Sequence, residues 1–190
     1  LLRPDGPDDT RTLEYRARAR RIAGLANTKQ GKFAEAERLL LGALSDDRAS
    51  SGDTSREVGK DHIALSKLYL QKGSAAPAIK AANRALTAVI PSFQPINPAF
   101  APAGNQFTNP PVTKFYEENT IFEALTAKAT AAEALFENTG DLQWLELALD
   151  CHELAWQAES ILRRVFQYST SKLNLLKDAR AREEAAMNVA

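Results

Sequence analysis

Apolar and small residues in the first half of the chain recur at intervals that fit amphipathic helices. Two stretches, 22–44 and 64–86, repeat one arrangement in which a glycine is followed by alanines five and twelve positions later. The repeated residues are Gly31, Ala36 and Ala43 in the first stretch and Gly73, Ala78 and Ala85 in the second. A glycine after such a run commonly ends a helix, because it adopts the left-handed conformation without a Cβ clash. The pattern therefore predicts two helical hairpins.

This spacing resembles the tetratricopeptide repeat, a unit of two antiparallel helices and about 34 residues. The two glycines, at 31 and 73, lie 42 positions apart, so we expect a longer linker, and the polar stretch 45–53 is predicted to be a mobile loop. Arg20, Asn27 and Arg48 stand where the family usually has two aromatic residues and a proline. The resemblance implies an all-α fold of about seven helices, stacked as antiparallel pairs into a short right-handed superhelix.

Residues 1–9 hold two prolines and a glycine and are expected to be a frayed lead-in to two repeat units over 10–90. Helices are predicted over 10–30 and 33–44, packed closely at Gly24 and Ala36. Thr54 and Glu57 form a capping box for the next helix, which ends at Gly73. Ser74 is expected to cap a fourth helix that extends to about residue 90.

Residues 91–114 form a connection with six of the nine prolines, which disfavour helix. It also holds Phe93, Phe100 and Phe107, so it either packs along the outside of the helices or acts as a binding loop. A second capping box at Thr120 predicts a divergent third unit over 115–168, in which one helix ends at Gly140 and Asp141 caps the next. After a break at 169–171, the segment 169–190 ends in a helix that either caps the array or continues it.

Composition excludes several classes of function. The chain has 190 residues with 44% hydrophobic content, and its 24 basic and 24 acidic side chains cancel, so no overall field attracts nucleic acid or a membrane surface. One cysteine excludes an internal disulfide, and with two histidines it argues against structural zinc. No apolar run approaches the roughly 20 residues of a spanning helix. We expect a cytoplasmic fragment of a longer protein, since the chain begins at Leu1 without a methionine.

The arginine-rich first helix points to a binding surface, because the first helices of tetratricopeptide units line the concave face. The expected groove residues are Arg18, Arg21, Leu25 and Lys29 in the first unit and Lys60, Ile63, Lys67 and Gln71 in the second. With Ile22, Thr28, Ala64 and Leu70 these make twelve groove positions, of which five are basic and none acidic. Such a groove suits an acidic or C-terminal peptide held by charge-assisted hydrogen bonds. The alternative is a solvated basic face.

Two known recognition modes do not fit these positions. The carboxylate clamp of peptide-binding repeats needs asparagine where this chain has Leu25 and Ala64. RNA binding by the arginine cluster would need a stripe of aromatic residues interleaved with it for base stacking, and the sequence has no such stripe there.

The chain offers no convergent catalytic set. Cys151 and His152 are neighbours on a predicted helix, where their side chains point about 100° apart. We therefore expect Cys151 to face the core or the groove as a small apolar residue rather than to act as a nucleophile. His62 is expected to be solvated or to cap a helix, and Trp144 and Trp156 to pack as core or surface cover. No catalytic residue, cofactor or metal ligand is predicted.

Over roughly residues 31–189 the chain resembles one particular group of proteins, and the specific motifs lie from residue 90 onward. The motifs are Ile90-Pro91-Ser92-Phe93, Glu118-Asn119-Thr120, Glu123-Ala124-Leu125, Lys128-Ala129, Thr139-Gly140-Asp141-Leu142, Leu147-Ala148-Leu149, Leu154-Ala155, Arg163-Arg164, Ser171-Lys172 and Leu175-Leu176. They are similar to the repeat region that precedes a CHAT domain, a caspase-like peptidase domain, in bacterial proteins of the Bacteroidetes type. The resemblance implies a regulatory arm that senses a partner for a peptidase domain outside this chain, or that contacts that domain.

Taken together, the sequence predicts a protein–protein interaction module rather than an enzyme. Its partner is expected to be a protein or an acidic peptide, with no nucleic acid and no membrane. The alternative is a helical small-molecule-binding protein of the cell envelope, with residues 91–111 as a lid. A peptide groove predicts binding that weakens with ionic strength, whereas a lidded pocket predicts a melting temperature raised by its ligand.

Overall fold

A computed structural model of the chain describes residues 9–93, 108–115, 118–165 and 169–189. Within these ranges the chain is helical and contains no β-strand, which confirms the all-α class. The elements are α1 (Thr10–Lys29), α2 (Phe33–Ser51), α3 (Arg56–Gln71), α4 (Ala75–Val89), a 3-10 turn (Val112–Lys114), α5 (Asn119–Thr139), α6 (Leu142–Val165) and α7 (Ser169–Val189).

Consecutive helices pack as pairs, α1 with α2, α3 with α4 and α5 with α6. The second helix of a pair also packs against the first helix of the next, α2 against α3 and α4 against α5, and α7 packs against α6. The first helices α1, α3 and α5 contact one another in chain order. Buried apolar side chains follow this order, with one cluster between the first two pairs and two clusters between the second and third. Each pair thus buries its apolar faces against its neighbours.

Three of the predicted helix stops are confirmed by positive backbone angles. Gly31, Gly73 and Gly140 follow α1, α3 and α5 with φ of 72°, 75° and 69°. The predicted close approach of the first two helices is also confirmed. A Cβ added to Gly24 would lie 2.6 Å from Cδ2 of Leu40, well inside van der Waals contact. A side chain at position 24 would therefore force the Leu40 side chain of α2 to shift.

The predicted mobile loop at 45–53 is wrong, because α2 continues through Ser51. Ion pairs hold the added turns against α1. Asp46 accepts from Nη2 of Arg16 at 2.8 Å and from Nη1 of Arg20 at 2.5 Å. The hydrogen bond from Arg16, with the charge of Arg20, holds the pKa of Asp46 below its usual value. Arg48 occupies the position where the repeat family usually has a proline, so no proline interrupts the helix here.

Two helix N-caps lie one or two residues away from their predicted positions. α3 is capped by Ser55 rather than Thr54, and the Ser55 hydroxyl accepts from the backbone N–H of Val58 at 3.3 Å. α5 is capped by Glu118, whose carboxylate accepts from the backbone N–H of Thr120 at 2.9 Å. Asp141 caps α6 as predicted, accepting from Gln143 N–H at 3.0 Å. The expected break at 169–171 is also wrong, since α7 begins at Ser169.

A buried arginine joins the first pair of helices to the second. Nη1 of Arg21 on α1 donates to Asp47 of α2 at 3.0 Å and to Asp61 of α3 at 2.9 Å, and Nη2 pairs with Glu57 of α3. The Asp61 side chain is fully buried. Burial raises the pKa of Asp61 to about 8 against the opposing charge of Arg21, and the neighbouring Asp47 adds to the rise. Three helices are thus held by one guanidinium.

We expect Arg21→Met to lower the free energy of unfolding by about 3–5 kcal/mol, because it removes the charged hydrogen-bond donor that the buried Asp47 and Asp61 share. Urea unfolding at neutral pH measures the loss. Arg18→Met is the matched control, since Arg18 lies on the same helix but is exposed. Equal unfolding midpoints for the two variants would show that the Arg21 cluster does not hold these helices together.

Candidate functional site

The structure separates the predicted groove residues into three groups. Four are exposed, namely Arg18, Lys29, Lys67 and Gln71. Leu25 is half-buried and packs against the core cluster between the first two pairs, and Lys60 is half-buried, with its Nζ 2.8 Å from Glu57 Oε1. Arg21 and Ile63 are buried.

Arg21 and Ile63 correct the expectation that all these residues face an open groove. Arg21 is engaged by three carboxylates of α2 and α3, and Ile63 lies in the core cluster that α3 shares with α4, α5 and α6. Helical spacing could place both residues on the side of the next helix but could not show how deeply that helix covers them. The basic character of the surface therefore comes from Arg18, Lys29 and Lys67.

A cavity of about 340 Å³ is lined by residues of α3, α5 and α7. Lys67 and Leu70, two of the twelve predicted groove positions, form its α3 side. The residues from the other two helices are Phe122, Glu123, Thr126, Ala127 and Thr130 of α5 and Asp178 of α7. The α5 and α7 residues of the cavity were not predicted from the sequence, because groove positions were assigned only in the first two repeat units.

The cavity has charges of both signs. Lys67 is exposed and makes no hydrogen bond or ion pair within the described part of the chain. Glu123 accepts a hydrogen bond from Asn119, and Asp178 lies at the α7 side. Exposed cations thus lie on α1 and α3, whereas Glu123 of α5 and Asp178 of α7 place carboxylates at the cavity.

Cys151 and His152 face different partners. The Cys151 thiol is buried against Asn109, and burial raises its pKa to about 11, so it is a poor nucleophile. Nε2 of His152 lies 2.6 Å from Glu133 Oε1 on α5. The expectation of a core cysteine is confirmed.

His62 corrects a second expectation. It was predicted to be solvated or to cap a helix, but it is 3% exposed on the face of α3 that packs inward. Burial lowers its pKa to about 4, with smaller contributions from Arg48 and Arg84. It is therefore neutral at physiological pH.

Lys128 is a buried charged residue that was not among the site residues predicted from the sequence. Its side chain is fully buried on α5, and its ammonium donates to the carbonyl oxygen of Thr108 at 2.7 Å and to Oδ1 of Asn109 at 2.8 Å. Burial lowers its pKa to about 8. The signal in the sequence is a single lysine on the alanine-rich apolar face of a helix.

The contacts of Lys128 attach the end of the proline-rich connection to the third helix pair. Asn109 also donates to Asp150 of α6 and contacts the Cys151 thiol. Residues 94–107, which include Phe100 and Phe107, lie outside the described residues. Of the lid expected at 91–111, only residues 91–93 and 108–111 are described. At those ends, Phe93 is buried in the core and Asn109 is anchored to α5 and α6.

Within the described residues, no group of three or more histidine, cysteine, aspartate or glutamate side chains is arranged to hold a metal ion. None of the helices in that part of the chain is both long and apolar enough to cross a membrane.

We expect the stability difference between the native chain and Lys128→Met to grow as pH rises from 8 to 10.5. In this window the unfolded lysine, with a pKa near 10.5, holds a proton that the folded lysine has released. The native chain should gain about 3 kcal/mol at most relative to the variant, measured by urea unfolding at several pH values. Lys114→Met, a change at an exposed lysine of the 3-10 turn, should show no such pH dependence. A difference that stays flat over this range would show that Lys128 is not held in a buried setting.

No protein-family model matches the chain, and neither a curated protein nor a solved structure matches it. The cavity shared by α3, α5 and α7 is where exposed residues from three helices come together.

Proposed function

We propose that the chain is a protein–protein interaction module that binds a peptide segment of a partner along the row formed by α1, α3, α5 and α7. The observation that carries the proposal is the cavity between α3, α5 and α7, because Lys67 and Leu70 line it together with side chains of two further helices. A concave site built by successive helices suits an extended ligand that contacts several of them in turn.

The packing order supports a tetratricopeptide-like superhelix as the scaffold. In such an array the first helices contact each other and line one face, and here α1 contacts α3, which contacts α5. Each second helix packs against the first helix of the next pair, as α2 does with α3 and α4 with α5. α7 would then be the first helix of a fourth unit, and its Asp178 reaches the same cavity.

The charges along the row indicate the ligand. Arg18 and Lys29 on α1 and Lys67 on α3 are exposed and without carboxylate partners among the described residues, so they favour an acidic segment. Glu123 and Asp178 favour a basic residue at the other end. The ligand is therefore a peptide with acidic residues toward one terminus and a basic residue toward the other. This revises the uniformly acidic partner expected from sequence.

The resemblance of the second half to repeats that precede a CHAT domain supports a role as the regulatory arm of a larger protein. In that setting, the bound peptide would come from a partner protein or from the neighbouring caspase-like domain. The peptide-binding proposal does not depend on which of the two supplies it.

Random twelve-residue peptides displayed on phage, selected against the whole chain, test the proposal. Selected peptides should carry acidic residues, and their affinity, measured by fluorescence anisotropy, should fall with added salt. Lys67→Glu should weaken binding about tenfold or more, since it reverses a charge in the cavity. Lys80→Glu changes the net charge equally on the exposed side of α4 and should leave affinity within about twofold.

Two results would overturn the proposal. One is a panel of selected peptides that bind Lys67→Glu and Lys80→Glu equally well. The other is selection that enriches no peptide at all from a folded, helical chain.

A further inference from the structure

A second cavity, of about 490 Å³, is lined by residues of α6 and α7. Most of its exposed lining is apolar and includes Leu149 and Trp156 of α6 and Ala179 and Ala186 of α7. Leu149 is 38% exposed and Trp156 is 55% exposed, so two large apolar side chains on one helix face meet solvent. Contiguous apolar surface of this kind is typical of places that another protein element covers.

The earlier second helices show what fills the corresponding space in the first three pairs. α4 packs against α2 and α3, because Ala81 and Ala88 share a buried cluster with side chains of both helices. α6 packs in the same way against α4 and α5, where Leu147 and Cys151 share a cluster with side chains of both. Each of these helices thus lies against the second helix before it and the first helix of its own pair. With α7 as the next first helix, α6 and α7 form the next position of this kind.

The apolar face of α6 matches a face that is covered on α4. Ile79 and Leu86 of α4 are seven residues apart, are 1% and 0% exposed, and share buried clusters with side chains of α5 and α6. Leu149 and Trp156 of α6 have the same separation but border the cavity. Each of the four residues directly follows a fully buried alanine, so the two faces occupy the same register of their helices. The residues that later helices cover on α4 are therefore uncovered on α6 in the described part of the chain.

Two carboxylates at the cavity are without a cationic partner among the described residues. They are Glu153 of α6 and Glu183 of α7, which are both exposed. Lysine or arginine side chains of a ligand that lies between the two helices would pair with these carboxylates.

The other charged groups of the lining are already engaged. Arg182 pairs with Glu159 at 2.6 Å, and Nε2 of His152 lies 2.6 Å from Oε1 of Glu133. The charge that is open to a ligand at this cavity is therefore negative.

Two other occupants do not match this charge. Residues 94–107, which lie outside the described ranges, contain no basic side chain. A second copy joined symmetrically through the same face would bring the acidic edges formed by Glu153 and Glu183 against identical edges. A basic amphipathic helix from another protein suits both the apolar lining and its acidic edges.

We propose that the cavity between α6 and α7 binds an amphipathic helix of a partner protein, whose apolar residues recur every third or fourth position and are flanked by lysine or arginine. The apolar stripe lies against Leu149, Trp156 and Ala186, and the flanking cations pair with Glu153 and Glu183. The inference rests on the proposed role of α7 as a first helix, and it concerns a surface other than the peptide site.

A library of helical peptides displayed on phage and selected against the whole chain tests this assignment. Each peptide is about 18 residues of alanine and glutamine, or about five helical turns. Its stripe positions vary among alanine, leucine, isoleucine and phenylalanine, and its flanking positions vary among lysine, glutamine and glutamate. Selected peptides should carry large apolar residues in the stripe and lysine rather than glutamate beside it. In a Trp144→Phe background, which leaves Trp156 as the one tryptophan, binding should shift the emission to shorter wavelength.

Two pairs of variants locate the surface. Trp156→Glu should weaken binding about tenfold or more, whereas Tyr15→Glu, at an aromatic residue of α1 that is 68% exposed, should leave affinity within about twofold. Glu153→Lys should weaken binding about fivefold, and Glu14→Lys, an equal charge change at an exposed position of α1, should not. Circular dichroism confirms that each variant is folded.

The proposal is overturned if a folded chain enriches no peptide, if glutamate is selected at the flanking positions, or if Trp156→Glu binds selected peptides as the native chain does. It is also overturned if the chain alone sediments as a dimer that Trp156→Glu converts to a monomer, since a second copy would then be the occupant. Lys67→Glu should bind the selected helices as the native chain does, so failure here is distinguishable from failure of the peptide site.

Discussion

The buried guanidinium of Arg21 is the contact on which the arrangement of the first two helix pairs depends. It reaches from α1 to carboxylates of α2 and α3, and one of these, Asp61, is fully buried. One Oδ atom of Asp61 lacks a donor among the described residues, yet the carboxyl lies against Asp47. Burial, with the neighbouring Asp47 carboxyl, raises the pKa of Asp61 to about 8. The cluster is therefore a specific polar contact that sets how α3 sits against α1, and so how the exposed face of α3 meets α5.

Buried charge is used in the same way further along the chain. Lys128 anchors the returning end of the connection to the third pair, and Glu159 joins α6 to α7 through Arg182. Apolar packing alone would hold the helices together, but it is non-directional. A charged group taken out of water is costly unless its partner is at the right distance, so each of these contacts penalises a shifted arrangement.

The predictions from sequence succeeded where local chemistry decides the structure. Gly31, Gly73 and Gly140 end helices because their conformation is set by the absence of a Cβ, and Gly24 marks a close approach for the same reason. The end of α2 was missed because Ser50 and Gly52 read locally as a loop, whereas Asp46 and Asp47 are held in helix by arginines some 26–30 positions earlier. The burial of Arg21 and His62 was not predicted, because charged and polar side chains usually face solvent. Only the helices packed around these two residues show that they are buried.

The same distinction between local pattern and tertiary packing applies to the candidate sites. Helical spacing placed Lys67 and Leu70 on a lining face, and both residues border the cavity between α3, α5 and α7. It could not find the cavity between α6 and α7, because that space depends on how α7 packs against α6. No periodicity in the sequence carries that information.

The most direct test of the central claim is to map a selected peptide onto the ¹⁵N-labelled chain by NMR. The account predicts that amide shifts change mainly on α3, α5 and α7, around Lys67, Thr126 and Asp178. Shifts confined to α2 and α4, or to the cavity between α6 and α7, would contradict it.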